Sequence, residues 1–100
     1  MITINKTVEN GKAVFAPEGR LDTVTAPELE SAVKEVLPGL TELTFDLQKL
    51  DYISSAGLRV LLMSQKAMNA QGKMTVVNVN ETIMEIFDVT GFTEFLSFGS

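Results

Sequence analysis

The stretch Glu42-Leu43-Thr44-Phe45-Asp46-Leu47-Gln48-Lys49-Leu50-Asp51-Tyr52-Ile53-Ser54-Ser55-Ala56-Gly57-Leu58 decides the fold. Leu43, Phe45 and Leu47 alternate with polar neighbours from Glu42 to Gln48, the period of a half-buried strand. Leu50 to Ser55 reads as a connection. A helix follows from about Ser55 to Gln71, with Gly72 as its stop. At about 100° per residue, Leu58, Val60, Leu61, Leu62, Ala67 and Met68 cover a broad apolar arc, and Arg59, Met63, Lys66 and Ala70 share the opposite stripe. A helix apolar over so much of its circumference packs on a sheet and against a neighbour.

The same strand–helix alternation extends in both directions. Downstream, Met74-Thr75-Val76-Val77 is a buried-strand run, and a third helix spans about Asn80 to Val89, faced by Ile83, Ile86 and Phe87 and ended by Gly91. Phe92 to Phe98 fits either a last short strand or a packed tail. Upstream, residues 2–8 alternate, and Asn10-Gly11 is a strong hairpin signal leading into Ala13-Val14-Phe15-Ala16. Gly19-Arg20-Leu21-Asp22 leaves that second strand. Thr25-Ala26-Pro27-Glu28 has the form of a capping box, and Leu29, Ala32, Val33, Val36 and Leu37 mark one helical face that Pro38-Gly39 terminates. The order β-β-α-β-α-β-α, with an optional last strand, implies an α/β sheet opened by an antiparallel pair, its later strands parallel and joined by right-handed helical crossovers.

Composition bounds the chemistry. One hundred residues, 45% hydrophobic and 21% charged, suit one globular unit, and residues 1–100 are expected to form a single domain without repeat or linker. Surface scaling gives about 5,600 Å² exposed after folding. With no cysteine and no histidine, disulfides, thiol nucleophiles, imidazole bases and Cys/His metal sites are excluded. No cofactor is expected. A net charge of −5 disfavours nucleic acid as a partner. The N-terminus lacks a signal-peptide stretch, and Arg59 interrupts the densest apolar run, Leu58 to Met63. A cytoplasmic protein without membrane insertion is expected.

The candidate functional constellation lies where the loop coming off the third strand enters the second helix. Ser54 and Ser55 stand at the helix start, where unpaired backbone N–H groups and the helix dipole favour an anion or a phosphoryl group. A serine there is most often only an N-cap. Gly57 either admits a close partner or serves packing. A serine hydrolase is disfavoured: Ile53-Ser54-Ser55-Ala56-Gly57 lacks the first glycine of a nucleophile elbow, and no histidine exists as base. Asp22 reads either as a site residue or as the cap of the next turn. Asp46, a carboxylate between Phe45 and Leu47, needs a partner or a sheet end. Met63 is either plain surface or part of a contact patch with Arg59.

Gly19-Arg20-Leu21-Asp22, then Phe45-Asp46-Leu47, then Ile53-Ser54-Ser55-Ala56-Gly57-Leu58 before a leucine-rich helix resembles a STAS domain, and most closely the small free-standing bacterial anti-sigma factor antagonists. The resemblance implies the STAS fold: a mixed four- to five-stranded sheet with an N-terminal antiparallel pair and helices packed against it. It also implies partner switching. The unmodified protein would bind an anti-sigma factor, a serine kinase with a histidine-kinase-like ATPase fold, and so free the sigma factor; a PP2C-type serine phosphatase would reverse the kinase's mark. By the family motif the acceptor is Ser55. The commoner family form has an aspartate where Ser54 stands, which makes Ser54 a rival acceptor and leaves Asp51 or Asp22 to supply a carboxylate. Asp22, Thr23, Asp46, Ser54, Ala56, Gly57, Arg59 and Met63 are the expected partner-binding residues. The alternatives are a constitutive STAS docking subunit of a membrane-transport or lipid-trafficking complex, and a small-ligand or nucleotide sensor on the same fold.

Overall fold

The computed structural model describes residues 2–99. Strand β1 (Ile2–Glu9) turns at Asn10 and Gly11 into β2 (Lys12–Leu21). Both turn residues have positive φ, 50° and 77°, the backbone a two-residue hairpin requires and Asn-Gly adopts most readily. Then come α1 (Ala26–Val36), β3 (Glu42–Asp46), β4 (Leu50–Ile53), α2 (Ser55–Gln71), β5 (Lys73–Val77) and α3 (Glu81–Thr90). The order β1-β2-β3-β5 forms the sheet, β1 antiparallel to β2 and the others parallel, with β4 also on β2.

Two expectations are corrected here. The segment from Gly19 does not leave the second strand; β2 continues through Pro17 and Gly19 to Leu21. Its neighbour changes along its length: β3 pairs with Lys12 to Phe15, and β4 with Gly19 to Leu21. Pro17 falls in the gap, where its missing N–H interrupts neither parallel pairing. Gly19, at φ 106°, allows the re-entry, its N–H donating to the Lys49 carbonyl at 3.2 Å. The expected connection from Leu50 is therefore a strand up to Ile53. Its register jumps from Gly19↔Leu50 to Arg20↔Tyr52, so Asp51 is an extra, bulged residue. That bulge puts Leu50 and Ile53 both on the buried side and removes the period-two signal.

One face of the sheet carries the core. Phe15 and Phe45 are register partners with ring centroids 5.8 Å apart, and they join Leu43, Met74 and Val76 beneath Leu29 and Val33 of α1, Leu58, Leu61 and Met68 of α2, and Ile83 and Phe87 of α3. The accessible surface is 5589 Å², in line with the scaling expectation. The C-terminal segment resolves as a 3₁₀ turn at Phe92–Glu94 followed by one parallel bridge from Phe98 to Val76. Among the described residues no helix is long and apolar enough to cross a membrane.

Asn80 ties the α3 end of this framework to β4. Its Oδ1 accepts from the Ile83 N–H at 3.0 Å, capping α3, while Nδ2 donates to the carbonyls of Leu47, Gln48 and Leu50 at 2.8–3.2 Å. Asn80→Ala removes the cap and the donor together and is expected to cost about 2 kcal/mol in urea unfolding. An unchanged midpoint would show that neither set of bonds contributes.

Candidate functional site

Because β2 and β4 are parallel neighbours, they end side by side at Leu21 and Ile53. The Ser54 N–H donates to the Leu21 carbonyl at 2.8 Å, locking the two exits together. Each exit leads into a helix, so the starts of α1 and α2 adjoin. Thr23, Ala26, Pro27 and Glu30 from the α1 side and Ala56 and Arg59 from α2 line a cleft of about 140 Å³. Beyond it, Glu30, Arg59, Leu62, Met63 and Lys66 line an open groove of about 400 Å³ between the helices.

Asp22 shapes the α1 exit rather than facing outward alone. Its Oδ1 accepts from the N–H groups of Val24 (3.0 Å) and Thr25 (3.1 Å), and its carbonyl receives the Ala26 N–H at 2.8 Å. The Thr25 N–H bond leads the influences that hold this carboxyl below its ordinary value; the Thr25 hydroxyl, the Val24 N–H and the Arg20 charge act in the same direction against a partial desolvation. Thr25 does not form the expected capping box. It is buried, its side chain makes no capping bond, and its hydroxyl donates to the Arg20 carbonyl at 2.7 Å while accepting the Asp22 N–H at 2.8 Å. The aspartate three residues earlier has taken over the turn. Arg20, at the strand end, stacks its guanidinium 4.4 Å above the Tyr52 ring.

At the α2 exit the two serines differ. Ser54 is the N-cap, half-buried, its Oγ accepting from the Gly57 N–H at 3.4 Å. Ser55 is the first helical residue and is exposed. The first turn of α2 holds no acidic residue, whereas α1 carries Glu28 and α3 carries Glu81 there. An anion on Ser55 therefore meets the positive helix end without a neighbouring first-turn carboxylate. Gly57 is buried, which corrects its expected place on the partner face: a Cβ there would lie 2.7 Å from Ile53 Cγ1 and 2.8 Å from Leu21 Cγ. Its missing side chain lets α2 sit down on β2 and β4.

Asp46 is also separated from the cluster. It lies at the opposite end of β4 from Ser55, with Oδ1 accepting the Gln48 N–H and Oδ2 the Asn78 amide, both at 3.1 Å. There it borders a polar cavity of about 340 Å³ at the split of the sheet, with Asn5, Glu18 and Lys49. The strand carboxylate is thus satisfied as a turn-former. Thr23, Ala56, Arg59 and Met63 do come together, with Asp22 shaping the loop behind Thr23. Pro27 and Glu30 were not foreseen; they join only because the two helix starts are neighbours. Among the described residues no group of three potential ligands could hold a metal ion.

Comparison with known proteins settles the lineage. A family model for the STAS domain matches residues 3–100. The chain belongs to the STAS domain family. This STAS domain is 33% identical over 85 residues to BtrV of Bordetella bronchiseptica, which is assigned as an anti-sigma factor antagonist; the match covers 83% of this chain and 73% of BtrV. It is 34% identical over 77 residues to RsfB of Mycobacterium tuberculosis, an anti-sigma-F factor antagonist, covering 76% of this chain and 63% of RsfB. The crystal structure of an anti-sigma factor antagonist from Mycobacterium paratuberculosis superposes with a TM-score of 0.87 at 25% identity, covering 98% of this chain and 85% of the other.

Proposed function

We propose that this STAS domain is a cytoplasmic anti-sigma factor antagonist that works by phosphorylation-controlled partner switching. Unmodified, it binds an anti-sigma factor with a histidine-kinase-like ATPase fold and releases the sigma factor. That partner, acting as a serine kinase, phosphorylates Ser55 and ends the complex; a PP2C-type phosphatase restores it. One observation carries this: Ser55 is exposed at the first residue of α2, beside the cleft formed by Thr23, Ala56 and Arg59, while Ser54 is occupied as the cap. The antagonist assignments of BtrV and RsfB support the same role.

The physics of such a switch follows from that position. A phosphate adds about −1.5 to −2 charges at pH 7, and a helix start tolerates them. A partner surface closing over the cleft would have to desolvate the dianion or leave it unpaired. Binding is lost and the fold is kept. Adding the unphosphorylated domain to a preformed complex of sigma factor and anti-sigma factor from the same genome is expected to release free sigma factor on gel filtration. Persistence of that complex at excess antagonist would overturn the assignment.

A further inference from the structure

We propose that the groove between α1 and α2 receives an acidic, apolar-anchored segment of the anti-sigma factor, gripped by Arg59 and Lys66. This rests on the partner-switch reading above and names the chemistry of the partner's contact. The two cations lie seven residues, about 10.5 Å, apart along α2. Between them Leu62 and Met63 are half-buried, offering hydrocarbon for an apolar side chain.

Charge decides the occupant. The ion pairs among the described residues join Lys12 to Glu42, Arg20 to Asp22 and Lys34 to Glu30. Lys6, Lys49, Arg59, Lys66 and Lys73 are left without a carboxylate among them, and of these Arg59 and Lys66 line the same groove. Glu30, the groove's own acid, is held by Lys34 at 2.8 Å on its own helix. A basic or neutral segment closing here would desolvate two unpaired cations; an acidic one pairs them. The net charge of −5 disfavours an anionic membrane or nucleic acid as the occupant. Ser55 and Arg59 stand four residues apart on α2, anion before cation, the favourable order on a helix. A phosphate on Ser55 thereby engages Arg59 and takes from the groove one of the charges that the partner needs.

The test is a titration of the anti-sigma factor at low and physiological salt with wild type, Arg59→Glu, Lys66→Glu and, on exposed β1, Lys6→Glu. Each groove reversal is expected to weaken binding about tenfold or more and to flatten its salt dependence, with Lys6→Glu within about twofold of wild type. A lysine substituted for the partner's contacting acid should restore Arg59→Glu. Wild-type affinity in both groove variants, with Ser55→Asp still impaired, would overturn the groove assignment and leave the switch standing. Failure of wild type to bind would remove both. If sedimentation showed a wild-type dimer that Arg59→Glu dissociates, the groove would belong to a second copy of the chain, which also overturns the proposal.

Discussion

Ser55→Asp is expected to lower affinity for the anti-sigma factor by roughly 30-fold or more, the scale set by an unpaired charge trapped at an interface. Its unfolding midpoint should stay within about 0.5 kcal/mol of wild type, because the side chain is exposed and the helix start welcomes a negative charge. Ser55→Ala should bind as tightly as unmodified protein and resist inactivation by the kinase. Calorimetric titration with thermal melts on the same samples reads both quantities. Equal affinity in Ser55→Asp and in the phosphorylated protein, both matching wild type, would sink the switch.

Gly57→Val, two residues away, should do the opposite. Leu21 and Ile53 are essentially fully buried, and a Cβ at position 57 already approaches them to 2.7–2.8 Å. The branched side chain has no room without lifting α2 from β2 and β4, a cost of about 3 kcal/mol. Urea unfolding should report that loss, and the residual binding should track the folded fraction. Stable Gly57→Val protein with abolished binding would instead put Gly57 on the partner face. The pair of variants separates a contact surface from the packing that supports it.

Much of this architecture was legible because several local signals agreed. Asn10-Gly11 fixed the opening hairpin through its backbone conformation, and α2 begins at Ser55 and ends before Gly72 as its periodicity implied. The sequence also placed the Ser54-Ser55 pair where a helix starts, a matter of local capping chemistry. What escaped was set by partners distant in sequence. The bulge at Asp51 erased the alternation of β4, and the run from Gly19 read as an exit because its strand character depends on β4 pairing beside it. Asp46 looked like a site residue because a strand carboxylate is costly; its relief comes from Asn78, thirty-two residues on. Thr25 matched a capping box, yet Asp22 offered the same turn a better acceptor.

The same dependence on topology explains the site. Parallel pairing of β2 and β4 brings the starts of α1 and α2 together, and no pattern within either helix announces Pro27 and Glu30 as neighbours of Arg59. The stripe Arg59, Met63, Lys66 was visible from helical spacing alone. Its facing wall was not.

The most direct test of the switch is intact-mass analysis with fragment mapping after incubation with the anti-sigma kinase and ATP. A single phosphate on Ser55 is the expected result. No phosphate, with the kinase active on another substrate, would contradict the switch and favour constitutive docking; a phosphate on Ser54 alone would contradict the assignment of the exposed first residue of α2 as acceptor.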